Sequence, residues 1–195
     1  MGQDHVEVPF VDRQVDRLAQ GPATVMQGGR QVSQTGEVLE VGKRGVATTP
    51  IQVAALPVLL AGNEAQAPAR QAKEAGAQLI AVANGSPYHT RQHHARRDQV
   101  GARARETGLP FVYANRVGGQ DELVFDGASF VADARGEVVQ QLPAWHETLA
   151  LATFDHGTPK TVRGALETRL EYHVYEALVM GVRDYVAKNR FPGVL

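Results

Sequence analysis

Two short apolar runs, QLIAVAN (78–84) and LPFVYANRV (109–117), each follow a helical stretch closed by a glycine. This alternation constrains the fold more than any other feature. A run that is apolar at consecutive positions has no face for water, so a strand built from it is covered on both sides. The stretch before the first run is PARQAKEAG. Pro68 is tolerated in a first helical turn, and Gly76 is a C-cap residue. The stretch before the second run extends from about His93 to Glu106 and stops at Gly108. Between them, Asn84-Gly85-Ser86-Pro87 forms a turn. Helix–strand–helix–strand alternation predicts an α/β layered sheet.

Downstream the period changes. LVFDGASFVADARGEVVQQL (123–142) is rich in extended-type residues and broken at Asp126-Gly127 and at Ala134-Arg135-Gly136. It predicts antiparallel strands joined by tight turns. TLALATFD is a further strand and HGTPKTVRG a linker. From about Arg169 to Asn189 the chain is helical, because Leu170, Val174, Leu178, Val182 and Tyr185 recur at spacings of four and three. Residues 1–66 are different. They carry turn signals at Gly21-Pro22, Gly28-Gly29 and Thr49-Pro50 and short apolar runs at Val38-Leu39 and around Val53–Leu60. No helical or strand period emerges there, so no element is predicted.

A formal net charge of -1 and a pI near 6.7 point to neither nucleic acid nor membrane as a partner. No apolar run reaches the roughly 18 residues of a membrane span, and MGQDHVEVPF lacks the pattern of a secretory leader. The expected compartment is the cytoplasm. The cysteine count is zero, which removes disulfides, thiolate metal sites and cysteine nucleophiles together.

Three motifs then point one way: NGSPYHT (84–90), YANRVGGQDELVFDGASF (113–130) and YEALVMGVRDYVAKNRFPGVL (175–195). From about Ala67 onward the chain resembles the later half of the nitrilase-type glutaminase domain of glutamine-dependent NAD synthetases. The third motif resembles the helix that joins it to the synthetase domain. The resemblance implies part of an α-β-β-α sandwich followed by a C-terminal linker helix. It divides the chain into an atypical segment 1–66, a glutaminase-like part 67–157, and a linker and helix 158–195. It also implies a chemistry. A cysteine thiolate attacks the amide of L-glutamine, a glutamate acts as base and a lysine steadies the oxyanion. The ammonia passes to a domain that uses ATP and Mg to amidate deamido-NAD. Homo-oligomers are implied too.

The departures are as informative. Counting back from Pro68 places the family's nucleophile, which stands in a Cys-Glu-Asp segment, at or near Leu60. The local sequence is LPVLLAGNEAQ, with no cysteine and with Ala61-Gly62 where the acids stand. A leucine has no nucleophilic lone pair. Glu37, Glu40, Lys43 and Lys160 are available as residue types for the base and the lysine, but no family context places them. Nor does a Ser-Gly-Gly-x-Asp loop for ATP follow Phe191–Leu195. The expectation is a fragment, inactive alone, with no cofactor or metal bound by this chain. A shift of reading frame upstream of Pro68 would produce such a head on such a tail. The alternative is a non-catalytic pseudo-amidase or interaction module.

By resemblance, Ser86 and Gln92 are the glutamine-binding candidates, the latter where the family often has lysine. Each also has a plain reading, as a turn serine and an exposed helix-leading residue. Gly119, Gln120, Asp121 and Glu122 are expected in a loop lining the pocket or the ammonia path. Adjacent residues on an extended segment face opposite ways, so Asp121 and Glu122 are not read as an acid–base pair. His89, His93 and His94 suggest a metal, but HHARR adds charge that repels a cation. With Arg96, Arg97, Arg103 and Arg105 they read as a solvated basic face. Arg183 and Asp184 point to different helix faces, so no ion pair between them is expected.

Overall fold

The computed structural model describes residues 5–11, 25–27, 30–32, 53–56, 66–162 and 164–193, with side chains described from Pro68 onward. In chain order the elements begin with β1 (His5–Val11), β2 (Val25–Gln27), β3 (Arg30–Val32) and β4 (Val53–Leu56). Next come α1 (Gln66–Glu74), β5 (Leu79–Asn84), α2 (Gln92–Thr107), β6 (Phe111–Asn115) and β7 (Val117–Gln120). The remainder are β8 (Leu123–Asp126), β9 (Phe130–Ala132), β10 (Val138–Gln141), β11 (Leu149–Asp155), β12 (Thr158–Pro159) and α3 (Leu170–Lys188).

A five-stranded sheet in the order β10-β9-β6-β5-β4 carries the fold. Its β4, β5 and β6 run parallel, while β9 and β10 are added antiparallel. The two apolar runs form β5 and β6, side by side and covered on both faces as predicted. Ile80, Val82, Phe111, Tyr113, Phe130 and Ala132 pack beneath the helices with Ala69, Val100 and Ala104. The alternate residues Leu79, Val112 and Val131 pack against Ala152 and Phe154 of β11. That strand belongs to a second sheet, β1-β11-β12, so helix, sheet and sheet stack as three layers. Both helices end as expected: Gly76 and Gly108 have positive φ, and the Gly108 N–H closes onto the Ala104 carbonyl at 2.8 Å.

Three expectations change. First, residues 1–66 do contain strands. In HVEVPFV, Val6, Val8 and Phe10 alternate, but Pro9 counts against a strand in a sheet interior. The conflict resolves because β1 stands at the end of its sheet among the described strands. VAAL is too short to show a period, yet pairs in parallel with β5. Second, LPFVYANRV is not one strand. It leaves the main sheet after Asn115, and β7 turns back on β8 as a separate hairpin. Third, Asp126-Gly127 therefore joins no hairpin; it carries the chain from that hairpin back to β9 in the main sheet.

The turn at Ala134-Arg135-Gly136 does join two antiparallel strands, β9 and β10. Asp133 fastens it, accepting the backbone N–H groups of Arg135 and Glu137 at 2.9 Å each. Gly136 lies against Gly101 of α2, and a Cβ at Gly136 would stand 2.5 Å from the Gly101 carbonyl oxygen. Its φ of +81° adds to the demand for glycine. Gly136→Ala is expected to destabilise the protein by about 2–3 kcal/mol, seen as an earlier urea midpoint. Gly157→Ala, which meets no atom within 4 Å, controls for the positive φ alone.

Candidate functional site

The turn after β5 is held from below by one buried arginine. α2 begins beside it, and its first turns aim Gln92 and Arg96 at Ser86. Arg96 is 2% exposed. Its Nε donates to Ser86 Oγ at 3.1 Å, and its Nη2 donates to the carbonyls of Ser86 and Pro87 at 2.8 and 3.0 Å. Its Nη1 lies 2.8 Å from Asp126 Oδ1 and 3.0 Å from Oδ2. Arg96 thus links α2, the turn and the foot of β8. A guanidinium is suited to this because its donors spread in a fixed plane.

Other contacts fix the same turn. The Ser86 N–H donates to Asn115 Oδ1 at 2.8 Å, and Asn115 Nδ2 returns to the Ser86 carbonyl at 3.2 Å. The Asn115 N–H donates to Ser129 Oγ, and Asn84 Nδ2 to the Tyr113 hydroxyl at 2.7 Å. Gln92 Nε2 donates to Ser86 Oγ at 3.3 Å. The two sequence candidates are therefore together, with the serine hydroxyl between Gln92 and Arg96. The Tyr88 N–H donates to the Val124 carbonyl at 2.7 Å, which ties the hairpin to the turn.

Burial decides the electrostatics. It pushes the Asp126 carboxyl above its ordinary range, against the pull of Arg96. It raises the Tyr88 and Tyr113 hydroxyls as well. Tyr88 Oη is buried without a hydrogen-bond partner, and Asp126 Oδ1 has only its ion-pair approach to Arg96. Buried polar atoms in that state are uncommon in a folded protein.

The other expected residues lie elsewhere. Gly119 and Gln120 are on β7 rather than in a loop, and exposed Asp121 and Glu122 form the hairpin tip. This arm packs on α3. The Gly119 N–H donates to Asp184 Oδ2 at 2.7 Å, and Lys188 Nζ reaches the Gly119 carbonyl and Gln120 Oε1. Asp184 also pairs with Arg183 at 2.9 Å, contrary to expectation. The long guanidinium curls across the helix, so separate faces do not keep neighbouring side chains apart. The expected nucleophile position near Leu60, with Glu37, Glu40 and Lys43, lies outside the described residues. Lys160 follows β12.

The basic run is not a uniform solvated face. Arg96 is its buried member, and His93 is half-buried, its ring 5.8 Å from that of His173 on α3 and 3.9 Å from that of His94. His173 is buried, with Trp145 Nε1 donating to its Nδ1 at 3.0 Å and its Nε2 facing the Glu167 carbonyl. Among the described residues no group of three His, Cys, Asp or Glu side chains could hold a metal. Nor is any helix among them long and apolar enough to cross a membrane. Arg96 and Asp126 were legible only as residue types. No local signal pairs groups that lie thirty positions apart.

Residues 61–163 match the carbon-nitrogen hydrolase family. The glutamine-dependent NAD(+) synthetase of Rhodobacter capsulatus is 41% identical over 130 residues, covering 62% of this chain and 23% of that protein. That of Xylella fastidiosa (strain Temecula1 / ATCC 700964) is 42% identical over 124 residues, 61% of this chain and 23% of its own. A solved structure, glutamine-dependent NAD+ synthetase from Acinetobacter baumannii in complex with adenosine diphosphate, superposes with a TM-score of 0.71. It is 29% identical, over 95% of this chain and 38% of that one. The chain spans about a quarter of the length of the curated relatives it matches. The expected layered α/β fold is the fold of these proteins.

Burial, with His94, His173, Arg97 and Arg96 nearby, lowers the His93 pKa from 6.5 to about 4. The unfolded chain therefore takes up this proton first, and the stabilisation is present above pH 6.5 and lost as pH falls toward about 4. His93→Gln is expected to flatten the fall of the thermal midpoint between about pH 7 and pH 5. An unchanged slope in a scanning fluorimetry series would count against the assignment.

Proposed function

The chain belongs to the carbon-nitrogen hydrolase family, and we propose that it supplies the later part of a glutamine-hydrolysing domain of the NAD synthetase kind. The observation that carries this reading is the Ser86 turn. It stands past the C-terminal end of a parallel strand, where α/β proteins hold their ligands, and it is held rigidly by Arg96, Asn115 and Gln92. The Ser86 hydroxyl and Gln92 carboxamide would meet the polar end of L-glutamine, and Arg96 acts through Ser86 as a positioning residue. A side chain preset in this way loses little freedom when substrate arrives.

Amide hydrolysis also needs a nucleophile. The chain contains no cysteine, and the position where the nucleophile is expected, at or near Leu60, is apolar. With no thiolate available, the chain alone orients glutamine but does not open its amide bond. The rest of the reading follows the family resemblance. Ammonia would pass to an ATP- and Mg-dependent amidation of deamido-NAD, carried by residues outside this sequence, in the cytoplasm. The second reading, a non-catalytic interaction module, is favoured by the exposed apolar side of α3.

A graft tests the proposal. Residues 67–188 replace the matching segment of the Rhodobacter capsulatus enzyme. Glutamine-driven NAD formation is expected to persist. Ser86→Ala in the graft should then raise the KM for glutamine by roughly tenfold, the loss of about one hydrogen bond. Free ammonia bypasses the turn, so ammonia-driven synthesis should not change. An equal loss with both nitrogen sources, or no loss with either, would contradict the role given to Ser86.

A further inference from the structure

Trp145 is the bulkiest of the described residues with a positive φ. Its value of +70° lies in the left-handed region, which a large side chain occupies only when its surroundings over-determine it. Two hydrogen bonds hold it there. The Trp145 N–H donates to the Asp126 carbonyl at 2.9 Å, and the indole Nε1 donates to His173 Nδ1 at 3.0 Å. The first bond ties Trp145 to the residue that pairs with Arg96, and the second ties it to α3. Trp145 and His173 are 3 and 4% exposed. His173 suits this place because its two nitrogens act differently. An indole N–H only donates and a carbonyl only accepts. Nδ1 therefore accepts from Trp145, and Nε2 donates to the Glu167 carbonyl at 2.6 Å. The same ring faces both flanks of the Ser86 turn. The Tyr88 ring lies 6.4 Å away and the His93 ring 5.8 Å away, each at 25° to it. Tyr88 also meets Trp145 edge to face at 4.9 Å. Tyr88 stands two positions after Ser86, and His93 follows Gln92 directly. The buried residues of α3 are His173 and Met180, and His173 is the polar one.

We propose that His173 is a positioning residue for the Ser86 turn: it seats α3 on Trp145, and Trp145, Tyr88 and His93 pass that restraint to Asp126, Ser86 and Gln92. Two routes run from the imidazole to the turn. Along the first, Trp145 holds the Asp126 backbone while Arg96 holds its carboxylate. Asp126 is thereby fixed from both ends, and the Arg96 donors stay aimed at the Ser86 hydroxyl and at the carbonyls of Ser86 and Pro87. Along the second, the rings of Tyr88 and His93 rest on the imidazole and close the turn from behind. Without His173, Trp145 loses one of its two holds, and the backbone relaxes from a conformation that is costly by itself. The Tyr88 ring then loses its backing, and Ser86 must be ordered when a ligand arrives rather than beforehand. The role in glutamine binding rests on the reading of Ser86 and Gln92 given above; the restraint of the turn does not.

Two substitutions in the whole chain test it. His173→Phe keeps a ring and loses both hydrogen bonds, whereas the carboxamide of His173→Gln can still accept and donate. Trp145 is the chain's single tryptophan, so its emission reports the contact directly. In His173→Phe the emission should move to longer wavelength, and amide exchange at Ser86 and Tyr88 should speed up roughly tenfold. Amides at the centre of β5 and β6 should keep their rates. In His173→Gln both readouts should stay within about twofold of the wild type. A shifted emission with unaltered exchange at Ser86 and Tyr88 would show that α3 is seated without bearing on the turn, and would overturn the proposal. So would an unshifted emission, or equal damage from Phe and Gln. Equal acceleration in β5 and β6 would reduce His173 to a general contributor to stability, and would also overturn it. An excess of L-glutamine should slow exchange at Ser86 in the wild type and in His173→Gln, and much less in His173→Phe. If glutamine slows nothing in the wild type, the ligand reading fails, and the rates without ligand still decide for or against the role of His173.

Discussion

The buried ion pair between Arg96 and Asp126 is the constraint on which the rest of the site depends. Both side chains are about 3% exposed, and the guanidinium bonds the turn carbonyls and the serine hydroxyl as well as the carboxylate. Burying such a pair gains little stability by itself, because desolvation offsets attraction. Its effect is on geometry. It leaves one arrangement in which α2, the end of β5 and the foot of the hairpin all find their partners. Removing either member leaves a buried polar group without its partner, so the turn and the hairpin are coupled through it.

Around this pair the layers follow from simple rules. β5 and β6 are apolar at successive positions because helices lie on one side and a second sheet on the other. The glycines at 101 and 136 let α2 approach the β9–β10 turn more closely than a side chain allows. Where the covering stops, apolar residues remain outside. Leu149 and Leu151 on β11 are 67 and 51% exposed, on the face away from the main sheet. Among the described residues no layer covers that face.

Much of this was legible in the residues. Alternation of helix and continuous apolar run predicts a doubly covered sheet, and the structure contains one. The capping glycines at 76 and 108 stand where the sequence places them. Four features were not legible, each for a physical reason. β1 alternates clearly but carries a proline whose meaning depends on edge or centre, and position in a sheet is non-local. The hairpin was hidden because the run reads straight through Asn115 and Arg116, where the chain leaves the main sheet. Arg96 sits in a charged run, and charge alone does not tell whether a carboxylate waits thirty residues away. Finally, the period of α3 identifies a helix and its apolar stripe, but not whether the protein's own core receives that stripe.

The most direct measurement is a double-mutant cycle on the ion pair. Arg96→Met, Asp126→Asn and the double variant are compared with the wild type by urea unfolding. If the pair organises the site as described, each single change leaves a buried group unpaired, and the double change relieves part of that cost. The coupling energy should then be about 2–3 kcal/mol. Amide exchange at Ser86 and Asn115 should speed up in both single variants. Additive effects, with a coupling near zero and an unaltered turn, would contradict the account.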